Sequence, residues 1–132
     1  MEERIGRILA GSRTVAVVGI SDNPDRPSHD VAKYLKDRGF RVIPVNPRVG
    51  EVLGEKSYGS LSEIPETVDL VDVFRRPEEV PPIAEEAVRI GARFFWMQEG
   101  VVSERARDIL EAAGIPWIMD RCVKKELAKR GR

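Results

Sequence analysis

The chain has 132 residues, and its 22 basic and 22 acidic side chains cancel to a formal net charge of zero. That length suits a single domain (residues 1–132) with a real core, and the neutral balance gives no broad basic face for non-specific nucleic-acid binding. Cys122 is the only cysteine, which excludes an intrachain disulfide, and no run approaches the ~20 apolar residues of a membrane span. The N-terminus lacks a basic-then-apolar leader pattern, so a reducing cytoplasm is the expected location. Abundant Glu and Arg beside a lone glutamine, Gln98, point to a thermophilic composition.

Ile5, Ile8 and Leu9 put one apolar stripe on a short leading helix that Gly11 and Ser12 end. Thr14-Val15-Ala16-Val17-Val18 follows, an unbroken β-branched run suited to a parallel strand covered on both faces. Gly19 ends it, a polar loop with two prolines follows, and Ser28 is placed to cap a helix with Asp30 in its first turn. Strand, glycine, loop and helix start form the phosphate-binding unit of doubly wound α/β domains, where free amides and the helix dipole favour an anion. A glycine there is expected to let a ligand approach the backbone.

Val31, Ala32 and Leu35 give the second helix its buried face, and Gly39 stands at its C′ position. The second strand reads Arg41-Val42-Ile43-Pro44-Val45 and stops at Asn46-Pro47; Pro44 is awkward in a central strand and suggests a bulge. Residues 48–67 are loosely patterned, with a Ser60-x-x-Glu63 capping box before Pro65. The third strand, Val68 to Phe74, alternates apolar and acidic residues as an edge strand, or one with acids at its margins, would. Asp69 and Asp72 fall on opposite faces and do not form a carboxylate pair.

Pro81 and Pro82 suit a helix start, with Ile83, Ala84, Ala87 and Val88 inward and Gly91 at its end. Phe94-Phe95-Trp96-Met97 is the fourth strand. Ser103 caps a helix carrying Ala106, Ile109, Leu110 and Ala113 on one face. Pro116 to Met119 is the fifth strand, and Lys124 to Arg132 is a solvated terminal helix. There is no internal repeat.

Strands alternating with helices imply a Rossmann-like doubly wound α/β fold: a parallel five-stranded sheet of order 3-2-1-4-5 with helices on both faces. Four loops then converge on one rim. The residues expected against a ligand are Gly19, Ile20, Ser21, Arg26 and Ser28; Val45, Asn46, Pro47 and Arg48; Phe74, Arg75 and Arg76; and Gln98 and Gly100. A dinucleotide fingerprint would show Gly-x-Gly-x-x-Gly and an acid ending the second strand, and neither is present. The rim arginines favour a nucleotide more anionic than NAD. One histidine, His29, makes a His-based metal site unexpected, and no metal is assigned.

Val-Ala-Val-Val-Gly-Ile-Ser, Arg-Pro-Ser-His, Val-Ile-Pro-Val-Asn-Pro, Asp-Val-Phe-Arg-Arg-Pro, Trp-Met-Gln-Glu-Gly and Met-Asp-Arg-Cys resemble the stand-alone CoA-binding proteins. These are similar to the CoA-binding N-terminal domain of the succinyl-CoA synthetase alpha subunit. The resemblance runs from about Arg13 to Cys122. It implies that Gly19 and Ser21 hold CoA phosphates, that Val45, Asn46 and Pro47 lie along the adenosine, and that Glu99-Gly100 is the retained fourth-strand motif. The proline run of the synthetase's third loop is replaced by Phe74-Arg75-Arg76-Pro77.

The synthetase's phosphohistidine belongs to a second domain not expected here, so the resemblance implies coenzyme A or acyl-CoA binding without ligase activity, and a non-enzyme. An NAD(H)-binding redox-responsive domain and an acyl-CoA-acting enzyme are the alternatives. Cys122 is either a small buried residue or a partner for the CoA thiol. The expected partner is a small-molecule nucleotide, with neither nucleic acid nor membrane, and the sequence names no protein partner.

Overall fold

In the computed structural model, which describes residues 1–132, the elements alternate as the pattern requires. They are α1 (Glu2–Gly11), β1 (Thr14–Val18), α2 (Pro27–Asp37), β2 (Arg41–Val45), β3 (Glu51–Val52), β4 (Glu55–Lys56) and β5 (Leu70–Val73). Then come α3 (Val80–Arg89), β6 (Phe94–Met97), α4 (Glu104–Ala112), β7 (Trp117–Ile118) and α5 (Val123–Lys129). The main sheet has five parallel strands in the order β2-β1-β5-β6-β7. Both faces are covered, which is why its strands are apolar almost throughout, Asp72 of β5 being the buried exception. Val15, Val17, Leu70 and Trp96 pack with α1, α2 and α5 on one side. Ala16, Val71, Phe95 and Met97 pack with α3 and α4 on the other.

The expected strand order holds with one reassignment. A single residue, Tyr58, forms a parallel bridge with Val45 outside β2, its amide donating to the Pro44 carbonyl at 3.0 Å and its carbonyl accepting from Asn46 N–H at 2.8 Å. Counting that bridge as the third strand gives 3-2-1-4-5 with one strand beyond. The segment expected at the edge, β5, instead fills the fourth place and lies between β1 and β6. Its alternation misled because Asp72 is fully buried rather than turned to solvent.

Pro44 needs no bulge. In a parallel strand a residue's N–H and C=O point the same way, and the Pro44 carbonyl faces Tyr58 on the outer side. The absent N–H therefore falls where only one bridge exists, as on an edge. The loosely patterned region holds the β3–β4 hairpin, turned at Leu53 and Gly54 with φ of 55° and 76°.

The start of α2 also departs from expectation. Arg26 is the N-cap residue and Pro27 occupies the first turn, where its fixed φ and missing N–H cost nothing. Ser28 lies one position further in, buried, and its Oγ accepts the Ser21 N–H at 2.9 Å. The serine braces the loop rather than capping the helix. Ser103 does cap α4, accepting from Ala106 N–H at 3.1 Å.

Candidate functional site: a cleft at the carboxyl ends of the strands

The loops after β1, β2, β5 and β6 meet around a cleft of about 1310 Å³. Each loop emerges from the same end of a parallel strand, so the topology alone gathers them. Gly19, Ile20, Ser21, Arg26, Ser28, Asn46, Pro47, Arg48, Phe74, Arg75, Arg76, Gln98 and Gly100 all line it. Val45 does not. Period-two alternation turns it into the core with Ala16 and Val73, and it borders a smaller recess of about 470 Å³ beside Pro47, Ser60 and Ile83.

Gly19 is a glycine for a different reason from the one its place in the loop suggests. Its φ is +86°, and an added Cβ would stand 2.3 Å from the Phe74 carbonyl oxygen and 2.7 Å from Arg75 Cδ. The space over it is filled by the protein, and its N–H is taken by the Val45 carbonyl at 2.9 Å. The missing side chain lets two loops touch. Amides left without a protein acceptor include Ile20 N–H, the next along the chain, and Ser28 N–H in the first turn of α2. Ile20, Ser28 and Arg26 all line the cleft, and together they offer donors and positive charge to an anion.

Asn46 ties the rim together. Its Nδ2 donates to the Ile20 carbonyl at 2.8 Å and its Oδ1 accepts from Arg48 N–H at 2.9 Å. The amide is therefore spent on joining the β1 and β2 loops, and its role is to position them. Ser21 Oγ likewise accepts from Asn23 N–H at 3.0 Å while its own hydrogen stays free to donate.

The arginines divide by what they already hold. Arg26 and Arg48 have no carboxylate within ion-pair distance, whereas Arg75 Nη2 meets Glu79 Oε2 at 2.8 Å. That bond holds the Glu79 carboxyl below the usual range despite opposing desolvation. Arg76 is 78% exposed and its approaches to Glu78 and Glu79 are 3.5 and 3.7 Å, so it is a solvated rim charge.

The lining also includes Val31 on α2, Val49 and Val101, which the sequence did not single out for the site, and Glu99 and Cys122, which it did. Val31 was legible as the inward position one turn after Ser28; Cys122 became a wall residue because α5 begins there. Asp120 braces the β6 loop, with φ of 58° and Oδ1 accepting Gly100 N–H at 2.7 Å. His29 is not on the lining, and no helix is long and apolar enough to cross a membrane.

A family profile described as "CoA binding domain" matches residues 13–128. The uncharacterized protein YneT of Bacillus subtilis (strain 168) is 48% identical over 120 residues, covering 91% of this chain and 89% of YneT. An ADP-forming acetate–CoA ligase I of Archaeoglobus fulgidus is 35% identical over 121 residues, which span 84% of this chain and 18% of the ligase. Among solved structures, a hypothetical protein from Pyrococcus horikoshii OT3 superposes with a TM-score of 0.94 at 35% identity, covering 98% of this chain and 91% of that one.

Proposed function

The chain belongs to the CoA-binding domain family, and from that premise we propose that the cleft holds coenzyme A or an acyl-CoA non-covalently, in a cytoplasmic protein, with no ligase reaction of its own. The observation that carries the reading is the gathering of two free amides, Ile20 and Ser28, with the unpaired guanidinium groups of Arg26 and Arg48 on one rim. The amides and Arg26 take the diphosphate, and Arg48 takes the ribose phosphate. Pro47 and the apolar edge of the smaller recess pack the adenosine. His29, the one histidine, lies off its lining, so no nucleophile–base pair is assigned to it.

A thermal-shift comparison tests the ligand. A ligand present at 100 times its Kd stabilises the folded state by about 2.7 kcal/mol. CoA is expected to raise the melting temperature more than dephospho-CoA does, and NADH is expected to do so least. An equal or larger shift with NADH would reject CoA as the ligand; a CoA response unchanged by loss of the 3′-phosphate would remove Arg48 from its role.

Arg26→Ala removes one charge-assisted contact, worth roughly 1.5–3 kcal/mol, or about 10- to 100-fold in affinity. Arg26 is exposed and carries no internal ion pair, so the fold should tolerate the change. Calorimetry across a salt series should show weaker binding with a shallower salt dependence. An unaltered salt response would take Arg26 out of the site.

A further inference from the structure

One end of the cleft is built from two side chains that the phosphate-binding rim does not use. Gln98 closes β6 and is 4% exposed; Cys122 immediately precedes α5 and is 8% exposed. Both line the cleft. Gln98 Oε1 accepts the Val123 N–H at 3.2 Å, and that bond fixes which way the amide faces, since reversing it would set donor against donor. The Gln98 NH2 group is left with no acceptor in the protein. The sealed, unpartnered side-chain atoms are the two Asp72 oxygens alone, so the Gln98 NH2 opens onto the cleft. A nine-tenths buried glutamine with a free donor aimed into a cavity is a group awaiting an acceptor.

Cys122 stands one residue before the amide that orients Gln98. Lys125 lies in the first turn of α5, its ammonium held by the Glu99 carboxylate of the β6 loop at 3.0 Å.

We infer that this end of the cleft receives the sulfur end of the ligand, with Gln98 Nε2 donating to an amide carbonyl of its pantetheine arm and Cys122 exchanging with a CoA disulfide. The inference rests on the CoA reading above and adds a covalent modification site to it. The Cys122 thiolate attacks one sulfur of the CoA disulfide. The CoA sulfur–sulfur bond breaks as the Cys122–CoA bond forms, and the second CoA departs as a thiolate that takes a proton from solvent. The disulfide supplies the oxidising equivalent, and a dithiol reverses the step.

Because the protein has one cysteine, intact-mass measurement on the unaltered chain locates the adduct without a variant. Incubation with CoA disulfide should add one CoA per chain, lost again with dithiothreitol. Positioning should make the reaction at least about tenfold faster than with bis(2-hydroxyethyl) disulfide at equal concentration. Acetyl-CoA, whose sulfur is capped, should slow labelling of Cys122 by iodoacetamide. Equal rates with the two disulfides, no adduct, or no protection by acetyl-CoA would each overturn the assignment. Calorimetry with CoA in dithiothreitol separates the two readings. Binding there without an adduct elsewhere rejects only the exchange site, whereas no binding and no adduct reject both.

Discussion

Gly19→Ala is expected to destabilise the protein by about 2–6 kcal/mol, combining a left-handed backbone of about 1–3 kcal/mol with overpacking of similar size. The new methyl would stand 2.3 Å from the Phe74 carbonyl oxygen, a backbone atom that cannot rotate away. Phe74 N–H is itself bonded to the Val18 carbonyl at 2.8 Å, so relief requires parting β5 from β1 at the mouth of the cleft. Arg75 could swing aside more cheaply. Urea denaturation should show a lower midpoint, and a larger side chain such as Val should be worse. A loss below about 0.5 kcal/mol, the range of an ordinary surface substitution, would mean that the loops are not in contact at Gly19. The same geometry makes Gly19 a poor probe of ligand binding, since its replacement disturbs the scaffold first.

Helix ends and loop positions were legible because glycine, proline and serine mark them with local rules. Gly39 and Gly91 take positive φ after α2 and α3, and Ser103 caps α4, all as their neighbours in the chain dictate. What the chain order left open depends on non-local partners. Whether Val45 faces the cleft or the core is a parity question that a continuous apolar strand leaves open. Tyr58 becomes a strand by one bridge, with no periodicity to signal it. Ser28 looked like a cap by residue type, but Pro27 before it supplies the helix start, and Arg26 takes the cap position. The cleft was legible as a set of loops, because topology delivers the loops. The division of labour within it, with Asn46 bracing and Ile20 free, depends on hydrogen bonds that no spacing encodes.

Asp72→Leu is expected to stabilise the protein near neutral pH by about 1–3 kcal/mol, the usual cost of an unpaired buried polar group. Asp72 sits in β5 between Val17 and Trp96, fully buried, and neither carboxyl oxygen has a partner. Burial alone pushes its pKa well above the ordinary aspartate value. Leucine branches at the same carbon, so the change keeps the shape and removes the polarity. The sign of the pH dependence follows from proton counts. Above the unfolded aspartate pKa of about 3.9, the native state holds a proton that the unfolded chain has released, so stability falls as pH rises. The decline begins there and continues to the raised native value, at up to about 1.4 kcal/mol per pH unit.

Other carboxylates act oppositely. For Asp69 burial would raise the pKa, but the Thr14 and Arg13 amides outweigh it. Glu126 is likewise opposed by burial and held down by Lys129, Arg130 and Arg121. Both contribute stability that is lost as pH falls. The raw profile of the parent therefore mixes two trends, and the difference between parent and Asp72→Leu isolates one. That difference should be smallest near pH 4, where only the cost of the unpaired neutral carboxyl counts, and grow in favour of the leucine variant toward neutrality. A constant difference across that range would show that Asp72 ionises as freely in the folded protein as in the unfolded chain, and that its burial between β1 and β6 is relieved by a partner.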